Sequence, residues 1–80
     1  MVEYENVEGL DFDFKEGVVT LEIGKEKKRV KNIKVVSFIG KDWHVNVGPA
    51  GINAEIFKKA RCEVVDVIDG APGLICWVEE

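Results

Sequence analysis

Glycine and proline interrupt this chain at short, regular intervals, and that spacing limits it to short elements. The breaks fall at Gly9, Gly17, Gly24 and Gly40, then at Gly48-Pro49-Ala50-Gly51 and Gly70-Ala71-Pro72-Gly73. Turn residues this close together read as a meander or small barrel of short strands. The apolar residues between them agree. Leu10, Phe12 and Phe14 alternate with Asp11 and Asp13, and Val19, Leu21 and Ile23 continue the period of two after Gly17. A strand that alternates in this way has one wet face and one buried face.

The alternation predicts pairings. Phe14 opposite Val19, Phe12 opposite Leu21 and Leu10 opposite Ile23 make three apolar pairs. Gly17 supplies the positive φ of the turn. A second turn over Gly24 to Lys27 sets Ile23 against Lys28 and Leu21 against Val30. The phase then slips, because Ile33 and Val35 follow Val30 out of step. One extra residue near Lys31-Asn32 restores it, which is the pattern of a β-bulge in one long, bent strand. A two-residue turn at Gly40-Lys41 then pairs Phe38 with Trp43 and Val36 with Val45.

One segment carries helical signals. In INAEIFKKAR, Asn53 suits an N-cap and Glu55 the first turn. Ile52 and Phe57 form a hydrophobic staple. Lys58, Lys59 and Arg61 suit the negative end of the dipole. The predicted helix runs from about Ala54 to Arg61. The last two strands are CEVVDVI and LICWVEE, joined through DGAPG. The expected fold class is therefore mainly β (α+β). It is a six-stranded, mainly antiparallel curled sheet or small partly open barrel, OB- or SH3-like, with one short helix after strand four. Residues 1–80 make a single small domain. A chain of this length buries only about 60% of its unfolded surface, which leaves no room for a large pocket between lobes.

Composition removes several classes of function. The apolar fraction is 46%, and thirteen residues are valine, too much for a disordered tail. The net charge is −4, which argues against a surface that coats nucleic acid. Lys and Glu dominate the charges, glutamine is missing, and there is one serine (Ser37) and one threonine (Thr20), a thermophile-like bias. The first residues, MVEYENVEGLDF, lack the apolar core of a signal peptide, so a cytoplasmic location is expected. Cys62 and Cys76 are then expected to be reduced, buried thiols, with a cross-strand disulfide as the alternative. No CxxC or HxxxH spacing supports a metal site around His44, and no cofactor is expected.

Five sets of residues invite a functional reading. The run KEKKRVKNIK offers Lys27, Lys28, Arg29, Lys31 and Lys34 as a phosphate-binding surface. The competing reading, a solvated coat on a strand edge, is favoured because the nearby aromatics are used in pairing. Asp42, His44 and Asn46 project from one face of a strand. Neighbours two apart lie about 7 Å from each other, too far for a direct hydrogen bond. His44 with Cys62 is the basis of a weak thiol or histidine enzyme reading. GPAG before the predicted helix could hold an anion on backbone N–H groups. The acids Glu3, Glu5, Glu8, Asp11 and Asp13 gather near the N-terminal end.

No nucleophile–base pair or metal set stands out, so the expectation is a non-enzymatic binding module. It acts as an accessory or regulatory protein through contact with another protein, with Tyr4, Asp11, Asp13 and Trp77 as contact residues. Self-association through an edge strand is a second form of the same idea. The alternative is a nucleic-acid-binding OB/SH3-like domain that uses the 25–34 hairpin. No membrane contact is expected, since no apolar run approaches about 18 residues.

Overall fold

The computed structural model describes residues 2–48, 52–54, 59–68 and 71–79. Among these residues the chain forms nine strands and no helix. The strands are β1 (Glu3–Val7), β2 (Gly9–Asp13), β3 (Val18–Ile23), β4 (Glu26–Val30), β5 (Val35–Ile39), β6 (His44–Val47), β7 (Ile52–Ala54), β8 (Lys59–Ile68) and β9 (Ala71–Glu79). They build two sheets. One has five strands in the order β1-β8-β9-β5-β6, and the other four in the order β4-β3-β2-β7. The described pairings are antiparallel, except that β5 runs parallel to β9.

The core lies between the sheets. The four-stranded sheet contributes Leu10, Phe12, Val19, Leu21 and Val30. The five-stranded sheet contributes Val7, Val36, Phe38, Ala60, Cys62, Leu74 and Cys76. Ile33, on the link from β4 to β5, joins them. These are alternate residues of each strand, so each sheet has one apolar face turned inward. The result is a two-sheet mainly β fold that does not close into a barrel.

Three features differ from the sequence expectation. First, the long bent strand is two strands. Val30 ends β4, Asn32 takes φ +65°, and β5 joins the other sheet. The phase slip marks a change of sheet, not a bulge. Ile33 does not face Val19; Val30 does. The Ile33 N–H instead donates to the Gly17 carbonyl at 2.9 Å, and Lys34 N–H donates to that of Pro72 at 2.8 Å. The one described bulge near the N-terminus is in β1, between Tyr4 and Val7, where Asn6 takes φ +59°.

Second, the predicted helix is not seen among the described residues. Asn53 and Ala54 lie in β7 opposite Asp11 and Leu10, and Lys59, Ala60 and Arg61 begin β8. Residues 55–58 lie outside the described residues, as do most of GPAG and the first two residues of DGAPG. A helix of two turns is marginal in water. Ladder pairing and burial of Ala60 on the sheet outweigh its local signals. Strands β1 and β7 also escaped the pattern: β1 is rich in acids, and β7 coincides with the apparent N-cap. With the divided strand, they raise the expected six strands to nine.

Third, each early hairpin is shifted by two residues. Phe12 faces Val19 and Leu10 faces Leu21. The turn starts early because the Glu16 N–H donates to Asp13 Oδ1 at 3.1 Å, a local bond that a short Asp side chain can make. Gly17 still takes positive φ, +68°. The second hairpin is tighter than expected. Ile23 faces Glu26 across Gly24-Lys25, with Gly24 at φ +63° and Lys25 in the ordinary region, the pattern of a type II′ turn. The third hairpin is looser. Phe38 faces Val45 and Val36 faces Val47, leaving Gly40 to Trp43 as the loop. A shift of two keeps every side chain on its face, so the core membership survives the error.

Candidate protein-binding face

Cys62 and Cys76 are directly opposite in β8 and β9, and they form a disulfide with Cα atoms 4.1 Å apart. Both are fully buried. The expectation of reduced thiols is thereby corrected. The cross-strand alternative holds, because the β8–β9 hairpin sets the two cysteines in register across a separation of fourteen residues. Opposed positions without mutual backbone bonds bring Cα atoms to about 4.5 Å, close enough to bridge.

The inward positions of β8, β9 and β5 are taken by the core, so the residues between them face out. Register aligns these outward residues in rows across the five-stranded sheet. Arg61, Trp77, Ile39 and His44 form one row over β8, β9, β5 and β6. Glu3, Glu63, Ile75, Ser37 and Asn46 form the next. Trp77, Ile39 and Ile75 are each part-buried, and Ser37 is only 3% exposed. The Ser37 hydroxyl donates to Asn46 Oδ1. That bond satisfies the one buried polar side chain among the described residues.

The Arg61 guanidinium stacks on the Trp77 ring, 4.4 Å from its centroid, and its Nη1 donates to Glu3 Oε1 at 2.8 Å. Three strands thus fix one planar cation over one indole. A shallow depression beside it, at the β1 bulge, is lined by Glu5, Asn6, Lys59, Ala60, Arg61 and Glu79. The face offers a half-buried apolar centre with charges of both signs around it. That arrangement suits contact with another protein, in which Trp and Arg anchors dominate.

The four contact residues expected from the sequence are not brought together. Trp77 faces out. Tyr4 is opposite Cys62 on the inner side of the same sheet and packs against the core. Asp11 and Asp13 belong to the outer face of the other sheet. The sequence reading left out Arg61 and Ile39: Arg61 was placed in the predicted helix and not in β8 opposite Trp77, and only the pairing of β5 with β9 makes Ile39 a neighbour of Trp77.

The basic run is divided as well. Lys27, Lys28, Arg29, Lys31 and Lys34 are all exposed. Val30 points inward, so Lys28 shares its side of β4, while Lys27 and Arg29 point the other way. Lys28 Nζ lies 3.2 Å from Glu26 Oε2. Lys27 is opposite Glu22, and Arg29 is opposite Thr20, which in turn neighbours Asp11. Lys31 and Lys34 flank the sheet change at Asn32. The outer face that holds two of the bases therefore also holds acids.

His44 and Cys62 are kept apart. His44 is exposed on the outer face of β6, separated from β8 by two strands, and Cys62 is bonded on the inner face. Among the described residues no group of three or more His, Cys, Asp and Glu side chains could hold a metal ion. Among them, too, no helix is long and apolar enough to cross a membrane. The chain matches no protein-family model, no curated protein and no solved structure.

Proposed function

We propose that this protein is a small, non-enzymatic binding module that works as an accessory or regulatory subunit, and that it meets its partner through the outer face of the five-stranded sheet. The stacked Arg61–Trp77 pair carries the reading. Its guanidinium is already held by Glu3, so little rotamer freedom is lost when a partner covers it. Ile39 and Ile75 extend the apolar centre, and Glu63, His44 and Asn46 supply a polar rim.

The test is comparative capture. Immobilised wild-type protein retains a defined partner, Trp77→Ala and Arg61→Ala lose it, and Lys27→Glu retains it. An unchanged partner set with Trp77→Ala discards this face as the binding surface.

The second reading is nucleic-acid binding through Lys27, Lys28, Arg29, Lys31 and Lys34, all of which are open to solvent. The alternation along β4 and the acids opposite weigh against it. A labelled oligonucleotide decides: an anisotropy shift with a steep negative salt slope would install this reading in place of the first.

A cytoplasmic location belongs to the same proposal. A buried disulfide is unusual in a reducing cytosol, but intracellular proteins of hyperthermophiles carry them. The Lys- and Glu-rich composition fits that host.

A further inference from the structure

We infer that β6 is a self-pairing edge, through which two copies of the chain join their five-stranded sheets into one. This goes beyond the face described above and uses a different surface.

The two sheets leave four edge strands among the described residues: β1, β6, β4 and β7. Three are guarded. β1 carries a bulge, with Asn6 at φ +59° between Glu5 and Val7, and bulges and charges both oppose pairing. β4 reads Glu26-Lys27-Lys28-Arg29 along its length. β7 is three residues long. β6 reads His44-Val45-Asn46-Val47, with no carboxylate, lysine or arginine and no bulge.

The hydrogen-bond phase of β6 follows from its turn. The Gly40 N–H donates to the Trp43 carbonyl at 3.0 Å, so Gly40 and Trp43 are a bonded pair. Bonded pairs alternate along an antiparallel ladder. Val45 and Val47 therefore turn their backbone groups toward β5, and His44 and Asn46 turn theirs to the outer edge. A second β6 laid antiparallel, with the two-fold axis at Val45, sets His44 opposite Asn46 of the second copy. The reciprocal pair forms too. Four backbone hydrogen bonds use all four outward groups of these two residues.

That register also satisfies the side chains. Directly opposed residues share a face, so a two-fold axis normal to the sheet matches inner face with inner face. Val45 meets Val45, and Trp43 meets Val47 on either side. Val45 is 48% exposed and Trp43 38%, two of the three large apolar residues exposed in the described chain. One row of apolar pairs covers both. On the outer face His44 meets Asn46. The contact is self-complementary, and it is smaller than a standard interface of about 1,600 Å². Association is accordingly weak and concentration-dependent. Two bodies of charge −4 repel, so added salt strengthens it.

Sedimentation velocity of the full chain, run as a concentration series at low and high salt, is the test. A monomer–dimer equilibrium that tightens with salt is expected. Val45→Lys puts two like charges opposite each other at the axis and returns the chain to monomer, with an unchanged circular dichroism spectrum. Amide exchange supplies a second readout. The His44 and Asn46 N–H groups gain protection as concentration rises, while those of Val45 and Val47 are protected throughout. A monomer at every concentration, or a dimer that survives Val45→Lys with His44 and Asn46 still exchanging freely, overturns the proposal.

Discussion

Reducing the Cys62–Cys76 bond removes a constraint from the unfolded chain while leaving nearly every atom of the core in place. The bond closes a loop across a sequence separation of fourteen residues. Chain-entropy arithmetic gives about 3 kcal/mol for a loop of this length. Native domains of this size have about 4–12 kcal/mol in all, so the bond supplies a large share. At about 4–8 °C per kcal/mol for a small domain, reduction lowers Tm by about 12–24 °C. The assay is urea unfolding of the oxidised protein, the protein unfolded and refolded under reductant, and the double variant Cys62→Ala/Cys76→Ala. Reduced wild type isolates the cross-link, and the double variant adds a small loss of packing, so it unfolds at slightly lower urea. The slope m rises on reduction, because an uncross-linked chain exposes more surface. Both sulphurs are fully buried, so reductant reaches them only through opening of the fold, and native protein resists it. Oxidised and reduced protein that differ by less than about 1 kcal/mol would refute the entropic reasoning. Two thiols that titrate at once in the native protein would refute the bond itself.

Three further outcomes are expected. A Cβ on Gly40 would overlap the Trp43 indole, so Gly40→Ala displaces the ring; fluorescence shifts red and stability falls by about 1–3 kcal/mol, the range for overpacking. Asn32 is the left-handed residue at which the chain changes sheets, so Asn32→Gly is near neutral in a melting experiment and Asn32→Val, which resists positive φ, costs roughly 1–3 kcal/mol. A double-mutant cycle of Arg61→Ala and Glu3→Ala gives a coupling of at most about 1 kcal/mol, weakened by salt, because both side chains are about half exposed.

The parts of the fold legible in the sequence were those set by neighbours in the chain. Leu10 and Phe12 alternate with acids, and they are in the core. Gly17 and Gly24 mark turns that need positive φ, and both have it. Pairing register was less legible, because Asp13 moved one turn through a side-chain bond and Gly24-Lys25 tightened another. Both changes are local, yet each competes with an alternative turn of similar energy. The helix signals around Asn53 were genuine as local preferences, and they lost to strand pairing on both sides. The candidate face was the least legible. Trp77 could be named as an anchor, but Arg61 is sixteen residues away, and Ile39 thirty-eight, along the sequence.

The amino-acid pattern by itself decided that this chain makes short strands, which residues of most strands turn inward, and where several turns fall. These follow from the period of two, the backbone freedom of glycine and the transfer of apolar surface out of water, none of which needs a distant partner. The tertiary structure alone decided that two sheets form without closing, that β5 lies beside β9 in parallel, and that Cys62 meets Cys76. It alone collected Arg61, Trp77, Ile39 and Ile75 on one face. Those outcomes depend on which strand edges saturate one another's backbone groups once the apolar faces have met. Valine-rich strands offer many edges of nearly equal merit, and only the packed whole selects among them.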